Sequence, residues 1–555
     1  MRSSLLSLPI AITKAITKAI AKAIAKATAI GFAPSLRATS SMVRWAVPLL
    51  AVCLAAMLPL NGEFAACGAE PLEAAVARVD ITNPQATRVN DPSYAKVLAL
   101  RQGKHSAVLV TVDAVAIGGI GAIPGTFMEA LRGELGSNPG IHADNLVVNA
   151  SHCHGSVRSD SDTLVIEAVR QAWRKLAPVK VGVGSTTEKR ISENRRVTLK
   201  DGSQVDMRRA YAFAWDSEIA STGPIDPQVG LLRIDRMDGR PLAVVYNFAC
   251  HPIMNPPSKG TSADFPAYTS KVIETSLGHD ALAFFVQGCG GDINPVRYKE
   301  VRVPPDAEPL GLILGATVLD AVRRIETTAE APLAVRTQRL AVPRAADFPR
   351  RIEAIEAERT RLVESLKSTN INFKTFLPLL IQQRLAPEFP SAYAQGYLHD
   401  KEIGRDDLER LDTESRQQVE SYLLNIQIME RLTRLNTNLA LLKMHQKKAQ
   451  AAAMEAIDVE LCGLRIGDFK LVTFPGELTV QIGLNIKRAA EDAGAFVAGY
   501  TNGYIYYLPT VEQRKNTGYA QEDCDCMVAP EWQRVFESSA LEMLKSLRAP
   551  NEVPK

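Results

Sequence analysis

From about Val76 to Ile325, short apolar runs alternate with amphipathic helical stretches, and this rhythm restricts the fold more than any other feature. "AKVLALRQ", "SAVLVTVDAVAI", "NLVVNAS", "PLAVVYNFACHP" and "DALAFFVQGCGGDINP" have the length and residue types of strands. "GTFMEALRGEL", "SDTLVIEAVRQAWRKLAP" and "AEPLGLILGATVLDAVRRIE" have helical periodicity. Strands that alternate with helices bury both sheet faces, so the class is α/β: a layered mixed-sheet domain. From Pro343 to about Ile457 the pattern changes to long charged helices, "RRIEAIEAERTRLVESLKS" and "QVESYLLNIQIMERLTRLNTNLALLKMHQKKAQAAAMEAI". We read residues 343–457 as a long helical insertion, a hairpin packed on the α/β body or a solvated coiled-coil arm. The α/β pattern resumes at 458, so residues 68–342 and 458–555 together form the main domain.

At 555 residues the chain buries a large core, and 46% hydrophobic with 23% charged residues is ordinary for a globular protein. The formal net charge of +3 and the lack of a basic-aromatic patch exclude nucleic acid as a partner class. Residues 1–41 are a low-complexity basic extension in which Lys14, Lys18, Lys22 and Lys26 recur on one helical face, a pattern compatible with membrane-surface association. Residues 42–67 follow the grammar of a secretory signal: Met42, Arg44, an apolar core from Trp45 to Leu60, and small residues ahead of Cys67. Cleavage is expected near Ala66, and "FAAC" loosely matches a lipoprotein box. An exported protein, secreted, periplasmic or envelope-anchored, is the expectation. The eight cysteines form no CxxC pair, and the CxC of Cys524 and Cys526 reads as free thiols before metal or redox chemistry.

Four motifs share one design, an apolar strand that delivers polar residues at its C-terminal end: "VVNASHCHG", "VVYNFACHP", "FFVQGCGGDINP" and "LVTFPGELT". In α/β sheets the functional crevice lies at the carboxyl ends of the strands. If these strands are parallel neighbours, His152, His154, Asp292, His251 and Glu477 share one rim. Extended backbone would also put His152 and His154 on one face, with Cys153 turned away. Two or three histidines with a carboxylate form the ligand set of catalytic zinc, Zn2+. Each residue also has a structural reading. His251 beside Pro252 is a ready hydrogen-bonder, Glu477 faces a helix N-terminus, Asp292 caps a loop, and "YIYYLP" packs a core.

In order along the chain, "ASHCHGS", "NFACHP" with "SADFPAY", "FVQGCGGDINP", "FPGELT" and "TNGYIYYLPT" resemble the neutral/alkaline, non-lysosomal ceramidase family from near Val79 to the last helix. The resemblance implies a zinc amidohydrolase that cleaves an N-acyl sphingosine or related lipid or small-molecule amide by zinc-activated water. It implies His152, His251, Glu477 and Tyr507 as zinc ligands and His154 as the proton carrier. It also implies Arg195, or the adjacent Arg196, and Tyr519 as oxyanion or substrate contacts. The sequence departs from the family pattern at Cys153, where Thr is usual, and at Asn294, which stands in "GDINP" where the family has Ser; as a catalytic-site residue Asn294 can donate a hydrogen bond to an oxyanion or a substrate hydroxyl but cannot be a nucleophile. The family's C-terminal immunoglobulin-like domain and a counterpart to the helical insertion are not evident either. An ester or other non-ceramide substrate, and a non-catalytic zinc-stabilised binding protein, are the competing expectations. The sequence leaves the oligomeric state open.

Overall fold

The structure is a computed structural model and describes residues 70–207, 216–255, 260–298, 300, 305–391, 394–452, 454–516 and 520–548. The basic extension, the signal-like segment with Cys53 and Cys67, and Tyr519 lie outside the described residues.

The main sheet has eight strands: β1 (Glu73–Asp80), β2 (Tyr94–Gln102), β3 (His105–Val112), β4 (Leu146–Ala150), β5 (Ala177–Thr187), β6 (Gln228–Arg236), β7 (Pro241–Phe248) and β8 (Leu282–Gln287). Their spatial order is β8-β7-β6-β5-β1-β2-β3-β4. The outer pairs β3/β4 and β7/β8 are parallel, and the pairs between them are antiparallel. A second sheet of four strands comprises β9 (Leu333–Pro343), β10 (Ala456–Ile466), β11 (Phe469–Thr473) and β12 (Ala495–Ala498), with β11/β12 parallel.

Strand alternation divides the side chains between two cores. In β2, Leu98 and Leu100 face the second sheet and meet Leu464, Leu471 and Phe496, while Val97 and Ala99 face the other way. That outer face is covered by α1 (Phe127–Leu135) and α2 (Ser161–Trp173) over β1–β4. Over β6–β8 it is covered by α3 (Asp264–Leu277) and α4 (Glu308–Val322). The two helices of the latter pair approach closely because Gly311 and Gly315 have no Cβ; one at Gly311 would sit 2.4 Å from the Tyr268 Cβ. The second sheet's far face is closed by α9 (Val480–Ala490) and α10 (Trp532–Ser546), which bring Ile482, Trp532 and Phe536 onto Phe474 and Val497. The order of layers is therefore helix, sheet, sheet, helix. This is the layered α/β architecture that the strand-helix rhythm predicts.

Between antiparallel partners β9 and β10 lie α5 (Phe348–Glu364), α6 (Phe373–Leu385), α7 (Ala394–Glu402) and α8 (Asp407–Ala451). Ile352, Ile355 and Leu362 of α5 pack on Ile428, Leu432, Leu435 and Leu439 of α8. The C-terminal part of α8 rests on the body: His445 Nε2 lies 2.6 Å from the Asp525 carboxylate, and Lys448 donates to the Tyr506 hydroxyl. No helix among the described residues is long and apolar enough to cross a membrane.

A candidate metal centre at the strand ends

The strands that carry the histidines are not all neighbours, as the rim expectation required. β7 and β8 are parallel neighbours, but β4 lies at the opposite end of the order, and Glu477 comes from the segment after β11 in the second sheet. The sheet coils until its two edges approach. Asn149 Oδ1, at the end of β4, accepts from Gln287 N, at the end of β8, at 2.8 Å. The Asn149 Nδ2 donates to Gly499 O and Thr501 Oγ1 in the loop after β12. Ala150 N then donates to Tyr500 O. Asn149 is fully buried, and its amide joins three segments whose carboxyl ends would otherwise splay. Sheet coiling of this kind follows from the right-handed twist of strands and is not encoded in any one segment.

The pair of histidines also sits differently from an extended-strand reading. β4 ends at Ala150, and His152 adopts φ +68°, a left-handed conformation that costs a residue with a Cβ. The two imidazoles nevertheless stay in contact: the rings of His152 and His154 lie edge to face with centroids 5.1 Å apart. Cys153 is fully buried, as alternation also suggested, with its thiol pushed up by burial.

Three donors converge. His152, His251 and Glu477 each place one ligand atom within 4.8 Å of the others. His251 Nε2 is 3.1 Å and His152 Nε2 is 3.4 Å from the same Glu477 oxygen. Ligands about 2.0–2.1 Å from a tetrahedral ion stand roughly 3.3 Å from one another, so these separations suit one small cation. The tautomers agree. His152 Nδ1 lies 2.6 Å from Val115 O, and His251 Nδ1 lies 3.0 Å from Ile293 O. A carbonyl only accepts, so both Nδ1 atoms carry the proton, and in the neutral rings both Nε2 lone pairs face the carboxylate. Three electron-pair donors aimed at one point call for a cation between them. Burial, the largest cause, lowers both imidazoles to about 4, so the rings are neutral near pH 7. Burial alone would raise Glu477, but His152 and His251 together hold it well below the usual carboxylate range. The donor set thus fits a divalent metal ion.

The tyrosine loop supplies the carboxylate's remaining partners. Tyr500 OH donates to Glu477 Oε2 at 3.3 Å, and Tyr504 OH donates to Oε1. These two phenols were not singled out from the sequence; the four tyrosines of "GYTNGYIYY" were the available signal. Tyr507 pairs in register with Glu477 in a short parallel ladder, so both residues reach the same part of the molecule. Tyr500, Asn502 and Tyr506 all have positive φ, which gives the loop its tight path.

Around Tyr507 lies a buried charged layer. The Arg195 guanidinium sits 5.4 Å from the Tyr507 ring centroid. It donates to Glu522 at 2.6 Å, to Asn294 Oδ1 at 3.2 Å and to Gly291 O at 2.5 Å. Arg196 turns elsewhere, pairing with Asp523 at 2.6 Å and Glu522 at 3.3 Å. Of the two adjacent arginines, Arg195 faces Tyr507 and Asn294. Among the described residues the buried Asn294 Nδ2 has no hydrogen-bond partner. Asp292 is not part of the donor cluster. Its Oδ1 accepts from Val480 N at the start of α9, and its Oδ2 accepts from Asn194 and Gln513, so it acts as the loop and helix cap of the alternative reading. Cys524 and Cys526 are both buried free thiols, the former beside Arg351 and the latter donating to Val528 O.

His154 lines a cavity of about 420 Å³ with Val115, Ser156, Thr261 and Arg88 among its other walls. Since Val115 also holds His152 Nδ1, the cavity lies one residue from the donor cluster.

No protein family model matches the chain, and no curated protein matches its sequence. Solved structures do. The neutral ceramidase from Pseudomonas aeruginosa aligns with a TM-score of 0.53 and 15% identity over 88% of this chain and 76% of that one. A ceramidase complexed with C2 aligns with a TM-score of 0.54 and 16% identity over 88% and 77%. At this identity the likeness establishes the fold: the chain has a neutral ceramidase-like α/β architecture.

Proposed function

We propose that this chain is a zinc-dependent hydrolase that cleaves the amide bond of an N-acyl compound, a lipid amide of the N-acyl sphingosine type or a smaller relative. The observation that carries the reading is the pair of imidazoles with Nδ1 tied to backbone carbonyls and Nε2 aimed at a single Glu477 oxygen. His152, His251 and Glu477 would hold the ion, with Tyr507 as the fourth ligand from the neighbouring register position. When bound, zinc supplies Lewis acidity toward a carbonyl and lowers the pKa of a bound water. The chain's own residues do the rest. Tyr500 and Tyr504 fix the carboxylate so that it does not rotate away. His154, on the cavity wall, delivers a proton to the departing amine nitrogen. Arg195 holds Tyr507 and Asn294, and its charge favours a developing oxyanion together with Tyr519. The fold of the solved ceramidases supports the reaction class, and the signal-like grammar of residues 42–67 supports an exported enzyme.

The test is a panel of fluorogenic N-acyl amides and the matching esters, assayed with zinc-loaded protein and with His152→Ala and Glu477→Gln. Amide turnover that both substitutions abolish is expected. Stoichiometric zinc with no turnover of any amide would overturn the hydrolytic reading and favour a zinc-stabilised binding protein. Ester turnover alone would move the substrate class.

A further inference from the structure

The cavity beside the donor cluster has an uneven charge. Among the described residues its walls include small or apolar residues (Ala86, Ala122, Ile120, Gly155), three hydroxyls and the imidazole of His154, but no carboxylate. Among the described residues Arg88 is its one permanently charged wall residue, and that guanidinium has neither a hydrogen bond nor an ion pair with any of them.

The backbone around Arg88 is pinned. Thr261 N donates to Arg88 O at 2.9 Å, and Asn90 N donates to Thr261 O at 2.9 Å. The Thr261 hydroxyl in turn accepts from Ser156 N and donates to Ser156 O, two residues beyond His154. Gly260, at φ +105°, lets the arginine stem lie close: a Cβ there would fall 2.9 Å from Arg88 Cβ and 3.0 Å from its Cγ. The Arg88 backbone is therefore registered against the His154 segment through Thr261, and its exposed side chain stands on the cavity wall.

We infer that this cavity receives the amine portion of the substrate and that Arg88 selects amines bearing a carboxylate, so that the preferred substrates are N-acylated amino acids and not neutral N-acyl alcohols. The inference rests on the hydrolytic reading. The residue that protonates the leaving nitrogen lines the same cavity as Arg88, so whatever is attached to that nitrogen lies within the cavity. A planar guanidinium without an internal partner matches a carboxylate through two parallel N–H donors, which a neutral hydroxyl cannot engage.

The probes are N-octanoylglycine and N-octanoylethanolamine, which share an acyl chain and differ in the anion. Calorimetric binding to metal-free protein is measured first, then turnover by the zinc-loaded protein. N-octanoylglycine is expected to bind about tenfold more tightly, the discrimination of one charge-assisted hydrogen bond. The preference should vanish in Arg88→Gln, survive in weaker form in Arg88→Lys, and shrink as salt rises. Arg88 is exposed, so both variants should melt as the parent does. Equal binding of the two probes, no binding of either, or an undiminished preference in Arg88→Gln would each overturn the inference. Anion-selective binding with no turnover of either amide removes the hydrolytic reading and leaves the Arg88 site standing. Equal turnover of both with no binding preference does the reverse.

Discussion

The decisive perturbation of the donor cluster is Glu477→Gln, which keeps the shape of the side chain and removes its charge. Glu477 is the shared partner of both imidazoles, at 3.1 and 3.4 Å, so its loss affects two of the three pairs in the cluster. Zinc that binds only the folded protein stabilises it by RT ln(1 + [L]/Kd), about 2.7 kcal/mol at a hundredfold excess over Kd. With an unfolding entropy of about 2.1 cal/mol/K per residue, a chain of this length gains roughly 2–3 °C in Tm. Loss of even an outer partner of a metal ligand costs about 10–100-fold in affinity. A hundredfold loss in Glu477→Gln would cut the zinc effect at the same concentration to about 0.4 kcal/mol, well under 1 °C. The assay is differential scanning calorimetry with and without zinc, paired with metal content after gel filtration. Only the zinc-dependent difference is read, so any intrinsic change in stability cancels. A zinc shift of equal size in the parent and in Glu477→Gln would refute the convergence argument, as would a parent with no shift.

The metal-free protein should lose stability as pH falls from about 6.5 to 4. His152 and His251 are depressed to about 4 in the folded chain, so over that window only the unfolded chain takes up their two protons; the slope approaches 2.7 kcal/mol per pH unit. Denaturant titrations across the range check this, and a flat profile contradicts it. Arg195→Met should destabilise by about 3–5 kcal/mol, because it strips the principal partner from a fully buried Glu522; adding Glu522→Gln should recover part of the loss, measured in a double-mutant cycle. His445→Ala should cost about 2–3 kcal/mol for the lost contact with Asp525, and because Tyr507 N donates to Asp525 O it should also lower turnover by the zinc-loaded enzyme. Gly311→Ala should cost about 1–3 kcal/mol by forcing α3 and α4 apart, visible as a lower urea midpoint.

Local patterns carried much of this molecule. The alternation in "AKVLALRQ" places Leu98 and Leu100 on one face and Val97 and Ala99 on the other, as the two cores confirm. The strand-end motifs also located His152, His251 and Glu477, since chain polarity alone puts such residues at the carboxyl rim. What the pattern could not show was long-range. Nothing in "NLVVNAS" reveals that β4 lies at the far edge from β7, or that Asn149 ties the edges together. The left-handed turn at His152 escaped because histidine's modest preference for positive φ is far weaker than glycine's and singles out no position by itself. Tyr500 and Tyr504 were hidden among strand-forming aromatics, and only the register of the loop separates a packing tyrosine from one that holds a carboxylate. Asp292 was a sound candidate by residue type, but Val480 N claims its lone pair.

The donors of the candidate centre sit at positions 152, 251 and 477, brought together by two separate sheets. No local segment carries more than one of these donors, so the nest exists only where the two sheets meet. A metal ion held there would act as a latch on the assembled body, and its occupancy would report completed folding.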